Sequence, residues 1–300
     1  MDARLQRRAP RPPGGRRPPA PPPPPGAAAG PGSAAGVQRY GWDRAADRYD
    51  TAWDAALAPA RTRLFEHADI RPGDHVLDVA CGTGAVTLQA ARQVGPAGSV
   101  LATDLSDRMV TLCRQAAADA GLDRVVVQRA DGEQPVARRA AFDVALCALG
   151  LMYMPEPERA LIEMTAALRP SGRLAVAVWG ERRRCGWAAV FGIVDARVAS
   201  EVCPLFFRLG APPVLREAMQ AAGLRDVRLD SIEATLGYAS LEQACEAALD
   251  AGPVALALSR FDDDTRRAVQ AEYAESIAPW RTADGYRIPA QFVIASGVAG

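Results

Sequence analysis

Histidine is nearly absent from this 300-residue chain: His67 and His75 are the only two. Histidine is the usual general base near neutral pH, so the chemistry must use another group or need none. A net charge is lacking as well. The 35 Lys and Arg balance 35 Asp and Glu, which removes any composition-based argument for nucleic acid or an acidic surface as partner. No basic patch with interleaved aromatics occurs outside the N-terminal stretch, so nucleic acid is not expected as a substrate. No apolar run approaches the roughly 20 residues that a membrane-spanning helix needs. The six cysteines (Cys81, Cys113, Cys147, Cys185, Cys203, Cys245) are scattered without a C-x-x-C. That is a poor disulfide framework and points to a reduced, cytoplasmic setting. Two nucleotide signatures are missing too. There is no Gly-Lys-Ser/Thr loop, and Thr87 stands where the last glycine of Gly-x-Gly-x-x-Gly would fall.

What is present is enough to fold. The chain is 49% hydrophobic and 23% charged, sufficient for a substantial core. Residues 1–36 are Pro, Gly, Ala and Arg, too poor in apolar surface to offset their ordering entropy, and are expected to be a disordered tail. The foldable sequence opens near Val37, where translation is expected to begin; N-terminal mass spectrometry of the native protein tests this, and a peptide from residues 1–30 would refute it.

From there helices and strands alternate. Residues 41–68 read helical, with Trp42, Ala46, Tyr49, Trp53 and Leu57 at helical spacing. "HVLDVA", "SVLATD", "RVVVQRA", "FDVALCAL" and "RLAVAVWG" read as strands, separated by helices over 85–94, 106–121 and 156–172. A shortened connection, "EQPVARRAA", replaces a helix between the third and fourth strands. Apolar helices are expected over 183–208 and helices over 241–278, with "DVRLDSIEATLGYA" and "RIPAQFVIASG" as further strands. Strands that are apolar throughout indicate a parallel sheet covered on both faces. Right-handed crossovers make it a doubly wound α/β fold, whose ligands bind beyond the carboxyl ends of the strands. Asp78, Gly82, Asp104, Asp131 and Ala148 fall at or just past those ends.

The stretch "HVLDVACGTGAVTL" combines a buried strand, a tight glycine turn and a helix start, a generic nucleotide cradle. Asp78, four residues before Gly82, asks for a ligand with a positive group, such as an α-amino group next to a sulfonium.

"VLDVACGTG", "ATDLSDRMV", "ADGEQPV", "FDVALCALGLMYM" and "ALRPSGRLAVAVW" together resemble the ordered motifs of class I S-adenosylmethionine-dependent methyltransferases, in the style of the ubiquinone/menaquinone-biosynthesis enzymes, over about residues 40–180. The resemblance implies a Rossmann-like seven-stranded sheet with an antiparallel last strand. It implies that Asp78 and the Gly82-Thr83-Gly84 backbone, with Ala80 beside them, hold the methionine part of S-adenosyl-L-methionine. It puts Asp104 on the ribose hydroxyls, Leu105 and Met109 against the adenine, and Asp131 with Gly132 at the adenine amino group. Ala148 would pass the sulfonium, and Tyr49 would close over the cofactor. Ala80-Cys81 departs from the commoner Gly-Cys pair.

Residues 37–300 are then one methyltransferase domain in which segments 181–210 and 241–285 form a helical lid. Their aromatic and aliphatic content suggests a small apolar or ring-bearing acceptor. Both histidines lie away from the binding edge, so the transfer is expected to proceed in line without a histidine base. Tyr153, Asp195, Glu201, Tyr238 and Tyr286 are the other groups available, and none stands out. No metal is expected, and the lid segments leave a homodimer contact open. Competing readings are a nicotinamide oxidoreductase, disfavoured by Thr87 and Asp78; an arsenite methyltransferase using Cys185 and Cys203 with Cys81 or Cys147; and a non-catalytic cofactor-binding protein.

Overall fold

The computed structural model describes residues 34–134, 139–198 and 206–300. Most of the expected N-terminal tail, residues 135–138 of the shortened connection, Glu201 and Cys203 lie outside the described residues.

Eight strands form one sheet: β1 (His75–Val79), β2 (Ser99–Asp104), β3 (Val125–Arg129), β4 (Phe142–Ala148), β5 (Leu168–Trp179), β6 (Leu224–Tyr238), β7 (Arg281–Thr282) and β8 (Gly285–Ala299). The spatial order is β3-β2-β1-β4-β5-β8-β6, with β7 paired to β8 alone. β1 to β5 are mutually parallel. β8 runs antiparallel to both β5 and β6, from Trp179↔Phe292 to Arg173↔Val298 on one side. Apart from the two-residue β7, this is the expected seven-stranded sheet with its last strand reversed. The order turns back between β1 and β4, which opens a crevice beyond their carboxyl ends.

The helices are α1 (Ala34–Ala68), α2 (Ala85–Val94), α3 (Asp107–Asp119), α4 (Pro157–Ala167), α5 (Ala189–Asp195), α6 (Pro212–Ala221), α7 (Leu241–Cys245), α8 (Ala255–Leu258) and α9 (Asp263–Ile277). α3 forms because Ser106 caps it, accepting the Met109 N–H at 3.1 Å, and because Met109, Val110, Cys113 and Ala117 share one buried face. α2 buries Val86, Thr87, Ala90 and Val94 in the same way. α4 is shorter than the sequence suggested. Pro170 biases Arg169 toward extended backbone, and the chain has already entered β5 at Leu168.

Two helical expectations are corrected. Within 183–208, the described residues hold only short 3₁₀ turns around α5. Within 241–278, a π-turn at Glu246–Asp250 and the Gly252-Pro253 pair break the run into three helices.

α1 has 35 residues and so spans about 52 Å. Its C-terminal part packs against β5 and β8, where His67 bonds Ser296 Oγ at 3.1 Å and Asp230 Oδ2 at 2.9 Å. Its N-terminal part reaches α3 and lies over the crevice. Below α1, Trp53, Trp179 and Trp187 join Phe292, Phe191 and Phe206 in one buried ring cluster.

Candidate active site

A cavity of about 750 Å³, its open mouth included, occupies the crevice. Nine of the twelve residues singled out in the sequence line it. Ala80 and Gly82 come from the loop after β1. Asp104, Leu105 and Met109 come from the end of β2 and the start of α3. Asp131 and Gly132 follow β3, Ala148 ends β4, and Tyr49 reaches in from α1. Tight loops at parallel strand ends bring these sequence-distant residues to one rim.

Asp104 is fixed by the backbone around it. Its Oδ2 accepts the Gly82 N–H at 2.9 Å and its Oδ1 the Ser106 N–H at 2.8 Å. Burial raises its pKa above the usual carboxylate range, against the pull of those bonds. Asp131 accepts the Glu133 N–H at 3.0 Å, and among the described residues its other oxygen has no hydrogen bond. Two carboxylates at neighbouring strand ends, with the apolar Leu105 and Met109 between them, suit a diol at one point and an exocyclic amine at the other.

Three of the twelve are placed differently. Asp78 is fully buried and does not line the cavity. Its Oδ2 accepts the Thr87 hydroxyl at 2.6 Å, while Oδ1 has no partner among the described residues. Burial pushes the carboxyl up to about 7. Within the fold its carboxyl braces the first turn of α2 from beneath, one layer below the cavity wall. Thr83 lines an adjoining space shared with Tyr49, Ala80 and Gly82, and its hydroxyl donates to Asp50 of α1. Gly84 sits in left-handed backbone (φ 108°), and an added Cβ would meet Cys113 Sγ and Leu88 Cδ1 at 3.0 Å. Here the missing side chain serves packing as much as ligand approach.

Ala80 takes a left-handed φ of 59°, which explains why glycine is commoner there in the family resembled. Its methyl group faces Gly150, where an added Cβ would lie only 2.3 Å away. Gly150 is therefore obligatory once residue 80 is alanine.

Several lining residues were not foreseen. Gln38 and Trp42 join Tyr49 as the cover from α1, and Trp42 meets Tyr153 edge-on at 4.8 Å. Glu133 is buried, accepts the Glu156 N–H, and has its pKa raised by desolvation. The docking of α1 has a legible signal: Asp43, Asp47, Asp50 and Asp54 recur at helical spacing. Asp43 accepts from the Ser106 hydroxyl (2.6 Å) and the Arg108 N–H (3.2 Å), and Asp47 from Arg108 Nε (2.7 Å).

Among the described residues, none of 181–210 or 241–285 lines the main cavity. They meet it one layer out. Trp187, Gly252 and Pro253 bound a smaller space, about 280 Å³ counted the same way, together with Trp42, Tyr49, Trp53, Leu149, Tyr153 and Trp179.

Neither histidine is near. His67 is tied to Ser296 and Asp230, and His75 bonds Ser99 Oγ at 2.8 Å at the opposite end of β1. Of the other acid–base candidates among the described residues, only Tyr153 lines the cavity, and burial raises its phenol pKa. Burial likewise pushes Cys147 up to about 12 and Cys185 up to about 11, so neither offers a thiolate. No cluster of three or more His, Cys, Asp or Glu suited to a metal occurs among the described residues. None of the described helices is long and apolar enough to cross a membrane.

Residues 76–172 match a family described as a methyltransferase domain. The chain is 32% identical to nocamycin O-methyltransferase of Saccharothrix syringae over 205 residues, 62% of this chain and 72% of that protein. It is 35% identical over 150 residues to a ubiquinone/menaquinone biosynthesis C-methyltransferase of Ralstonia nicotianae, where it spans 48% of this chain and 59% of the relative. Among solved structures, phosphoethanolamine N-methyltransferase 2 of Haemonchus contortus, in complex with S-adenosylhomocysteine, superposes with a TM-score of 0.55 at 15% identity. That match covers 90% of this chain and 58% of that one, and likeness at that level shows the fold alone.

Proposed function

The chain belongs to the class I S-adenosylmethionine-dependent methyltransferases, and on that premise we propose that it methylates a small, apolar, ring-bearing acceptor that arrives ionised or enolised. The cofactor supplies a methyl group already activated on a positive sulfur. The observation that carries the acceptor class is the ring-lined wall of Trp42, Tyr49, Leu149 and Tyr153, which borders both the cofactor cavity and the narrow space behind it. Apolar walls with few polar groups are what such an acceptor needs.

Asp104 accepts the ribose hydroxyls, held ready by Gly82 and Ser106. The free oxygen of Asp131 accepts the adenine amino group, with Leu105 and Met109 against the ring. The methionine end lies along Gly82-Thr83-Gly84 toward the space lined by Asp50 and Arg61, with Asp78 acting through Thr87 beneath it. Ala148 marks the path past the sulfur. The cover of Gln38, Trp42 and Tyr49 limits water and holds the acceptor in line. Such alignment is worth on the order of 7–11 kcal/mol. Segments 181–210 and 241–285 act as the lid one layer further out, through Trp187, Gly252 and Pro253.

Among the described residues no poised base faces the acceptor space: Tyr49 and Tyr153 are both held protonated by burial. That supports an acceptor whose nucleophile is already an anion at working pH, an acidic phenol or an enol. The longer of the two relative matches is to an O-methyltransferase, which supports oxygen as the atom methylated. The test is a panel of acidic phenols, naphthols and enolised β-dicarbonyls incubated with radiolabelled S-adenosylmethionine. We expect label in the organic extract with matching S-adenosylhomocysteine. Transfer to aliphatic amines and to none of the ring-bearing compounds would overturn the reading.

A further inference from the structure

Trp187 is 1% exposed, and its indole Nε1–H has no hydrogen-bond partner among the described residues. Buried donors are rarely left unpaired, because the lost hydration is not returned. Its ring neighbours offer no acceptor: Trp53 at 5.8 Å, Trp179 at 4.8 Å, Phe191 at 5.5 Å and Phe206 at 6.0 Å between centroids. The contrast with Trp53 is direct. That indole is as deeply placed, yet it donates to Ala251 O at 3.0 Å. The chain thus satisfies one of two adjacent indoles and leaves the other, which borders the ring-lined space, with a donor to give.

We propose that the Trp187 indole N–H is the polar anchor of the acceptor site, and that the acceptor carries a second oxygen, a carbonyl or oxyanion, distinct from the atom methylated. This rests on the acceptor reading above and narrows it to ring-bearing molecules with two oxygens, such as aryl ketones bearing a hydroxyl or enolised dicarbonyls. Trp187 is then a specificity residue: a molecule lacking the second oxygen leaves the buried donor unpaired and is rejected.

The probes are acetophenone and ethylbenzene, which share the ring and a two-carbon arm and differ in the carbonyl oxygen. Each is titrated into the full chain saturated with S-adenosylhomocysteine, with binding followed by ligand-observed NMR. We expect acetophenone to bind at least fivefold more tightly, and Trp187→Phe to erase that preference while its affinity for S-adenosylhomocysteine is kept. A second reading needs no variant. The Trp187 indole N–H signal, assigned through its contacts with Phe191 and Phe206, should move downfield with acetophenone and not with ethylbenzene. Equal binding of the two probes, or an unmoved indole signal, would overturn the anchor and leave the acceptor class standing. Binding of neither would remove the acceptor class, and the anchor with it.

Discussion

Asp78→Asn should flatten the pH dependence of stability in the cofactor-free protein. The carboxyl is wholly buried, one oxygen accepts from Thr87, and the other has no partner among the described residues. Burial, helped by the nearby Asp104 charge, moves its pKa from 3.8 to about 7. The folded protein therefore holds this proton more tightly than the unfolded chain does. The resulting stability is full below about pH 4 and is lost as pH rises through about 7. A gap of roughly three units at about 1.4 kcal/mol each amounts to about 4 kcal/mol, of which some 3 kcal/mol falls between about pH 5 and 8. Asparagine does not titrate, and every other group is common to both proteins. The stability of the wild type minus that of the variant should thus fall by about 3 kcal/mol across that range, read from urea unfolding at four pH values. Parallel curves would show that Asp78 is ionised throughout or solvated, and would refute the argument from burial.

Asp104→Asn should weaken S-adenosylhomocysteine binding about 10- to 100-fold by calorimetry, the scale of a hydrogen bond to a charged group, with the fold retained; an unchanged affinity would place the ribose elsewhere. Ala80→Gly removes a side chain from left-handed backbone and should be neutral or stabilising by up to about 1 kcal/mol in thermal unfolding. A loss of that size would mean that packing of the methyl group against Gly150 outweighs the strain. Changing both His67 and His75 to Gln should leave turnover within about tenfold, since a general base contributes roughly 10²–10⁴. A larger fall in a folded variant would return a histidine to the mechanism.

The rim of the sheet was legible because each of its carboxylates ends a strand or follows one closely, and strand ends are fixed by the alternation of elements. Asp104 and Asp131 needed only that. The facing of Asp78 was not legible. β1 is covered on both sides, so all of Val76 to Val79 is buried, and no polar alternation tells which way a side chain looks. Glu133 was within a motif already in view, but its partner, the Glu156 N–H, lies across a loop that sequence spacing does not reach. The apolar run over 183–208, which holds Trp187 and Phe191, announced buried helix. Its convergence with Trp53 and Trp179 depends on how α1 lies across β5, which is a matter of tertiary packing.

The acidic face of α1 links these parts. Asp43 accepts from Ser106, the residue that also fixes Asp104, and Asp50 accepts from Thr83, inside the glycine turn. The cover is therefore anchored on the same two loops that line the floor of the cavity. Carboxylates at the starts of α2 and α3 are favoured there by the helix dipoles, so the docking needs no dedicated hinge or ion. Anything that orders the glycine turn and the end of β2 also orders the attachment points of Trp42 and Tyr49.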